Sequence, residues 1–254
     1  MAVKIISKEQ QGSGAFNGGE IIENHPIGFP QNGGEGKPFS SLFYWAHAKA
    51  QVDSTIGLHP HQGFEIMSFV LKGHIRHYDT KLKEWRQLEA GDAQIIRAGN
   101  GISHAEFMAE NSAMFQIWMD PDLTKTMGQP ASYDDYKSDH LPSIIEGDVT
   151  IKTYVGGDSV FRMDTQGVEI QQLKFETANY SRAISKDKVY SIYVLEGSAK
   201  INGMTADLDD FAIVSDSEEL KIENDSNGVL FMIATPKKLN YQTYSEIMKA
   251  RMSA

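Results

Sequence analysis

The chain contains no cysteine among its 254 residues, so it can form neither a disulfide nor a thiolate metal site. Histidine is also unevenly distributed, because all eight histidines precede position 141. Residues 141–254 therefore offer no imidazole. Any transition-metal chemistry that needs imidazole ligands must belong to the N-terminal part of the sequence. Among these histidines, His25, His47 and His140 are expected at the surface.

Long apolar runs are missing, and negative charge exceeds positive charge. The formal net charge is -10 and the pI is about 5.3, which disfavours unaided binding to nucleic-acid phosphates. No stretch approaches the length of a membrane span, and MAVKIISKEQQGSG lacks the apolar run of a signal peptide. We expect a cytoplasmic protein that binds neither membrane nor nucleic acid directly.

Two short stretches carry potential metal ligands at alternate positions. GLHPHQGFE (57–65) contains His59 and His61, and GNGISHAEF (99–107) contains His104 and Glu106. Residues at i and i+2 of a strand share one face, so two such strands can present three imidazoles and one carboxylate to a common point. This ligand set predicts one divalent transition metal with coordination positions left open.

The remainder reads as β-rich, and it contains an internal repeat. FVLKG (69–73) corresponds to YVLEG (193–197), LEAGDAQI (88–95) resembles LDDFAIV (208–214), and MFQIWMDP (114–121) resembles LFMIATP (230–236). Three blocks in one order predict an all-β protein of two tandem jelly-roll barrels. We expect an N-terminal domain over 1–130, a linker over 131–143 and a C-terminal domain over 144–254. A short C-terminal helix capped by Asn240 is also expected.

The repeat predicts a second barrel without metal. Counting back from Gly197 and Phe231 places Ala183, Ser185, Leu220 and Ile222 at the positions of the four candidate ligands. None of these side chains is a strong metal ligand. Leu220 and Ile222 predict apolar packing in place of a site.

The motifs HPHQGFE, VLKGHIRHYD, LEAGD and AGNGISHAE closely resemble the pirin family of bicupins. The resemblance implies two cupin barrels, with metal in the N-terminal barrel only and His59, His61, His104 and Glu106 as ligands. Iron is the first expectation, and copper, nickel, manganese, cobalt or zinc are chemically compatible. Cupins in general often take their carboxylate from the first motif, which leaves Glu65 as an alternative; the pirin resemblance favours Glu106 and a supporting role for Glu65.

The resemblance also implies a function, since some pirins are similar to quercetinases. We expect a metal-dependent dioxygenase that uses O2 to cleave a small flavonol-like or other enolisable aromatic substrate, with Glu106 as ligand and proton acceptor. Strand parity adds four residues that could line the pocket: Glu65, Met114, Gln116 and Trp118. We expect the metal to face a cavity within the N-terminal barrel, entered near the loops that flank the two motifs and walled mainly by apolar and aromatic side chains. The alternative is a non-enzymatic metal- or redox-sensing regulator that acts through a protein partner, which an acidic surface would suit. A third interpretation is a cupin whose substrate is unrelated to flavonols.

Overall fold

The computed structural model describes residues 2–224 and 226–252. These form two compact units, each assembled from separate stretches of the chain. Of the described residues, 12–140, 163–166 and 240–252 make up the histidine unit, and the remainder make up the second unit. Both units are built from β-strands, as expected.

The strands and helices have the following bounds: β1 Ala2–Ile6, β2 Gly12–Phe16, β3 Ile21–Ile27, β4 Leu42–Ala50, β5 Ser54–His61, β6 Glu65–Lys72, β7 His74–Asp79, β8 Trp85–Glu89, β9 Ala93–Arg97, β10 Ile102–Met108, β11 Ala113–Met119, α1 Leu123–Thr126, β12 Ser132–Tyr136, β13 Ser143–Glu146, β14 Val149–Val155, β15 Glu169–Phe175, β16 Ala178–Ala183, β17 Lys188–Glu196, β18 Ala199–Ile201, β19 Met204–Ala206, β20 Phe211–Ser215, β21 Glu219–Asn224, β22 Gly228–Pro236 and α2 Tyr244–Met252. Short 3-10 segments lie at Lys8–Gln10, Asn17–Gly19, Pro30–Asn32 and Ser138–His140. No helix in the described parts of the chain is both long and apolar enough to cross a membrane.

The internal repeat is visible in the sheet topology. Each unit has one seven-stranded and one four-stranded sheet. The histidine unit has the orders β12-β9-β6-β11-β4-β3-β2 and β5-β10-β7-β8, and the second unit has β1-β20-β17-β22-β15-β14-β13 and β16-β21-β18-β19. Strand by strand, the two sets match. The expectation of two copies of one all-β barrel is therefore confirmed.

The units differ in the strand that completes the larger sheet. In the histidine unit this edge strand is β12, which pairs with β9 and begins one residue into the predicted linker. In the second unit it is β1, from the start of the chain, which pairs with β20. The stretch 131–143 is thus partly sheet, and residues 2–11 belong to the second unit. The residue pattern of each segment alone does not predict either pairing, because both strands pair with partners far away in sequence.

The C-terminal helix begins at Tyr244, three residues after the start predicted with Asn240 as its cap. The side-chain hydroxyl of Thr243 accepts a hydrogen bond from the Glu246 N–H, and the Glu246 carboxylate accepts one from the Thr243 N–H. This reciprocal pair is a capping box, which satisfies backbone donors at a helix start. The signal was present as Thr-x-x-Glu, so Asn240 was the wrong cap.

Asp120 anchors this helix to the end of β11. Its carboxylate accepts a hydrogen bond from the Tyr244 N–H, and its backbone carbonyl accepts one from the Tyr241 hydroxyl at 2.7 Å. The other carboxylate oxygen is buried without a hydrogen-bond partner. Burial, reinforced by the charge of Glu246, raises the pKa of Asp120 to about 7.

This raised pKa makes stability depend on pH. The folded state binds the Asp120 proton more tightly than the unfolded state, so the ionised form costs stability that returns as pH falls from above 7 toward 4. We expect Asp120→Asn to stabilise the protein at pH 8, on the order of 2 kcal/mol, and to lose that advantage at pH 4. Urea unfolding at both pH values measures the difference, with exposed Asp135→Asn as control. An advantage of equal size at both pH values would contradict this assignment.

Candidate metal centre and its aromatic surroundings

Strands β5 and β10 bring the two histidine motifs together. They pair antiparallel, with His59 directly opposite His104 and a β-bulge in the ladder between His104 and Glu106. His61 lies two residues beyond His59 on the same face. The two motifs therefore converge at one end of this strand pair, as their spacing predicts.

The three imidazoles form a close cluster. One ligand atom from each of His59, His61 and His104 lies within 4.8 Å of the others. The His59 and His104 ring centroids are 4.4 Å apart, and each lies 4.8 Å from the His61 centroid. The His59 Nδ1–H donates to the Gly57 carbonyl at 2.8 Å, which leaves the lone pair on Nε2. This geometry suits a shared cation.

The electrostatic state of the cluster also suits a metal. Burial and the neighbouring His104 and His59 lower the pKa of His61 to about 3, against an opposing effect of Glu106. Burial, followed by His59 and His77, holds the pKa of His104 well below its ordinary value. Neutral imidazoles carry the lone pairs that transition metals bind. Nε2 of His61 and both ring nitrogens of His104 are buried without hydrogen-bond partners, so the donor set fits a divalent transition metal.

Glu106 is buried but is not part of this close cluster. Its carboxylate accepts hydrogen bonds from the Ser68 hydroxyl at 3.1 Å and the Gln116 amide at 2.5 Å. Gln116 in turn accepts from the Trp118 indole N–H at 3.1 Å. The Gln94 amide donates to Ser68 at 2.9 Å, which extends the network across β6 and β9. A role for Glu106 as fourth ligand stays a prediction.

Ser68 and Gln94 were not predicted from the sequence as residues of the site. Neither lies in one of the two histidine motifs, and both belong to strands that look like ordinary apolar core. Their function depends on sheet pairing, since Ser68 lies opposite Gln116 on one side and opposite Gln94 on the other. A polar side chain within a buried apolar strand was the available signal.

Aromatic rings, all partly or largely exposed except the buried Tyr44, adjoin the imidazoles. The aromatic cluster consists of Phe29, Phe43, Tyr44, Phe64, Trp118 and Tyr244. Trp118 stands edge-on to His61 with ring centroids 4.8 Å apart. A flat aromatic molecule could therefore contact the cluster while one of its oxygens faces the imidazoles.

A cavity opens beside the same two motifs. Its volume is about 580 Å³. It is lined by Pro60, His61, Gln62, Thr80, Asn100, Gly101, Ile102 and Ser103. An opening near the loops that flank the motifs agrees with the expected position of an entry. The lining is more polar than expected, because apolar rings lie on the Trp118 side instead.

The four predicted pocket residues occupy two kinds of environment. Gln116 and Trp118 belong to the network and the aromatic cluster beside the imidazoles. Met114 is fully buried in an apolar core cluster with Val70 and Met108. Glu65 is also buried, but it binds the segment 163–166 of the same unit. Met114 and Glu65 thus serve packing and structure, whatever their parity suggested.

Glu65 holds its segment through three hydrogen bonds. Its carboxylate accepts from the backbone N–H groups of Asp164 and Thr165 at 2.6 and 2.8 Å and from the Thr165 hydroxyl at 2.6 Å. We expect Glu65→Ala to destabilise the protein by about 3 kcal/mol, because buried donors lose their partner. Urea unfolding measures this, and Glu65→Gln, which keeps one acceptor, should cost less. Equal stability of wild type and Glu65→Ala would contradict the structural role.

Three other histidines are buried as well. The His77 Nε2–H donates to the Asp79 carboxylate at 2.9 Å, and the His77 ring stacks on Tyr133 with ring centroids 4.4 Å apart. His25 contacts Glu23 at 3.0 Å, and His47 is 5% exposed. Surface positions were expected for His25 and His47, which is wrong. Both lie on strands of the larger sheet, where burial depends on neighbouring strands.

In the second unit the register identifies the positions equivalent to the ligands. Ile201 lies opposite Ile222 in the second unit, and His77 lies opposite Glu106 in the histidine unit. Leu220 and Ile222 are therefore the counterparts of His104 and Glu106. Both are fully buried in the apolar core of that unit. The expected apolar packing at these two positions is confirmed.

The other two equivalences were wrong. On β16, Arg182 lies opposite Leu220, just as His59 lies opposite His104. Ala183 is exposed. The Arg182 guanidinium donates to Gln171 at 2.9 Å and contacts the Met232 sulfur. Arg182 precedes Gly197 by 15 residues, whereas His59 precedes Gly73 by 14, so counting back from the glycine missed the register by one residue. Among the described residues the His59–His61–His104 group is the one metal-ligand cluster, and it lies in the histidine unit.

Two barrels of matching topology, of which the histidine unit holds the one imidazole cluster found among the described residues, define a double-barrel protein with a metal-type centre in one barrel. The pirin family model matches residues 24–119. A candidate quercetin 2,3-dioxygenase of Pseudomonas aeruginosa is 30% identical over 210 residues, covering 79% of this chain and 86% of that protein. The chain belongs to the pirin family.

Further relatives agree with this assignment. A quercetin 2,3-dioxygenase of Escherichia coli K12 is 27% identical over 186 residues, covering 71% of this chain and 76% of its own. The structure of a bacterial pirin of E. coli in complex with nickel(II) matches with a TM-score of 0.78 and 22% identity, covering 93% of this chain and 100% of that one. A quercetin 2,3-dioxygenase structure from Acinetobacter baumannii matches with a TM-score of 0.78 and 17% identity, over 99% and 87% of the two chains. The fold is that of two cupin barrels.

Proposed function

We propose that this protein is a metal-dependent dioxygenase that cleaves flavonol-like substrates with O2. The observation that carries the proposal is the edge-on contact of Trp118 with His61, which places a partly exposed aromatic wall against a cluster of three imidazoles. Relatives named as quercetin 2,3-dioxygenases support the same class of reaction.

His59, His61 and His104 would hold the metal, with Glu106 as the fourth group. Iron is our first choice of metal, and the nickel(II) complex of a structurally similar E. coli pirin indicates that other divalent ions fit such a site. A bound divalent ion would act as a Lewis acid toward the substrate's enolate oxygen. Imidazole ligands carry no negative charge, so a divalent ion held by them would keep its positive charge and favour an anionic oxygen.

The remaining steps belong to the chain's own residues. Glu106 would accept the proton of the substrate hydroxyl, a role that suits a carboxylate held at fixed position by Ser68 and Gln116. Trp118 would position the substrate's ring by edge or face contact. The buried surroundings of His104 would exclude water from the reacting atoms.

Oxygen uptake by iron-loaded protein with a panel of flavonols tests the proposal. We expect uptake with 3-hydroxyflavones and none with 3-methoxy analogues, which cannot supply an enolate oxygen. His59→Ala should abolish uptake, whereas substitution of the exposed His140 should not. Metal-loaded protein that consumes no oxygen with any flavonol would refute the proposal and favour a regulator acting through a protein partner.

A further inference from the structure

Tyr244, the first residue of α2, contacts the outer part of the aromatic cluster. Its ring stands edge-on to Phe43 at 5.8 Å and to Phe64 at 5.5 Å between centroids. The side chain nevertheless remains 38% exposed. A ring that packs on two others and still faces solvent is positioned to contact a ligand lying against the same rings.

The rings between Tyr244 and the imidazoles are continuous. Phe43 and Phe64 are stacked with centroids 4.4 Å apart. Phe64 lies 5.7 Å from Trp118, whose ring is 4.8 Å from that of His61. Phe43, Phe64 and Trp118 are each partly exposed. A planar ligand with its oxygens at the imidazoles could therefore extend along this row until it meets Tyr244.

The position of Tyr244 is held from the strand that carries Trp118. Asp120 directly follows β11 and accepts a hydrogen bond from the Tyr244 backbone N–H. The Tyr241 hydroxyl donates to the Asp120 carbonyl at 2.7 Å. Two attachments to one residue fix the start of α2 relative to Trp118. The Tyr244 ring is thus a defined wall of the row, because its backbone is held on β11.

We propose that Tyr244 is a specificity-determining residue that contacts the aryl substituent of a bound flavonol. The proposal rests on the dioxygenase function proposed above, since it assumes that the chelating oxygens face the imidazoles. In a flavonol the aryl ring is the part that extends furthest from those oxygens. It is therefore the part that reaches a side chain separated from His61 by two further layers of rings.

Ligand affinity in the absence of turnover tests this inference. Zinc-loaded protein would be titrated without oxygen, because zinc is redox-inert. The two probes are 3-hydroxyflavone and 3-hydroxychromone, which share the chelating oxygens and differ by the aryl ring. The variants are Tyr244→Ala and Tyr244→Phe. The matched control is Trp85→Ala, which removes another exposed aromatic ring on an outer strand of the same unit. Thermal unfolding checks each variant, and Tyr244→Leu keeps apolar packing if the alanine variant melts.

We expect Tyr244→Ala to bind 3-hydroxyflavone about tenfold more weakly, while its affinity for 3-hydroxychromone changes less than about twofold. Tyr244→Phe and Trp85→Ala should leave both affinities unchanged. Equal loss for both probes, no loss for either, or no binding of 3-hydroxyflavone to the wild type would overturn the inference. Selective loss in a protein that consumes no oxygen when iron-loaded would refute the dioxygenase and leave the role of Tyr244 standing.

Discussion

Replacement of His104 by alanine is expected to lower the affinity for a divalent transition metal by at least about 100-fold. Substitution of residues that only hydrogen-bond to a metal ligand already lowers metal affinity by up to about 100-fold, and loss of a ligand itself lowers it further. His104 is fully buried, and both its ring nitrogens lack hydrogen-bond partners. Its removal leaves His59 and His61 as the imidazoles of the cluster, both on β5, so strand β10 no longer contributes an imidazole. Metal content after reconstitution with iron or nickel and dialysis measures the effect.

The control for this experiment is His140→Ala, which removes an imidazole whose side chain is 71% exposed. It should leave metal content unchanged. Thermal unfolding of the metal-free variants is needed beside it, because His104 fills space in the barrel. A His104→Ala variant that folds and retains wild-type metal content would show that the imidazole cluster does not hold the ion.

Replacement of Glu106 by glutamine is expected to lower the rate of oxygen-dependent flavonol turnover by roughly 10²- to 10⁴-fold. This is the usual contribution of a positioned proton acceptor. Glutamine has nearly the same shape, and its amide oxygen can still accept a hydrogen bond from Gln116 or Ser68. The loss therefore reports the charge and basicity of Glu106. Single-turnover rates and metal content of the same samples separate chemistry from metal loss.

Two comparisons sharpen the test of Glu106. If Glu106 is also a ligand, Glu106→Gln should release metal more easily than the wild type, and excess metal should restore only part of the rate. Ser68→Ala removes one hydrogen bond to the carboxylate and should give a smaller loss than Glu106→Gln. An unchanged rate in metal-loaded Glu106→Gln would exclude Glu106 as the proton acceptor.

The part of this protein that sequence alone could predict is local or repeated. Alternation along one strand was enough to place His59 and His61 on one face, and the paired motif predicted the partner strand with His104. The repeated blocks predicted two barrels, because each block is a strand with its flanking turn. Leu220 and Ile222 followed from the same repeat, because they precede Phe231 by the same 11 and 9 residues by which His104 and Glu106 precede Phe115.

Errors arose where a position depended on register or on distant pairing. The segment between this strand position and the repeated glycine is one residue longer in the second unit, which moved the match from Ala183 to Arg182, and the repeated blocks do not show where the extra residue is inserted. His25 and His47 were placed at the surface because a single histidine in a strand gives no information about burial. Met114 has the same parity as Gln116, yet it lies nearer the start of β11, among apolar neighbours. Parity alone therefore did not show which end of β11 lies beside the imidazoles.

The amino-acid sequence by itself determined the fold class, the repeat, the confinement of imidazole chemistry to one half and the three histidines that cluster. These properties depend on residue identity and on the two-residue period of a strand, which act over short distances. Tertiary structure alone decided the rest. It set the hydrogen bonds that hold Glu106, the pairing of β12 with β9 and of β1 with β20, and the contact of Tyr244 with the other rings of the aromatic cluster. Each of these needs groups that lie far apart in the chain to meet, and only the packing of the folded barrels brings them into contact.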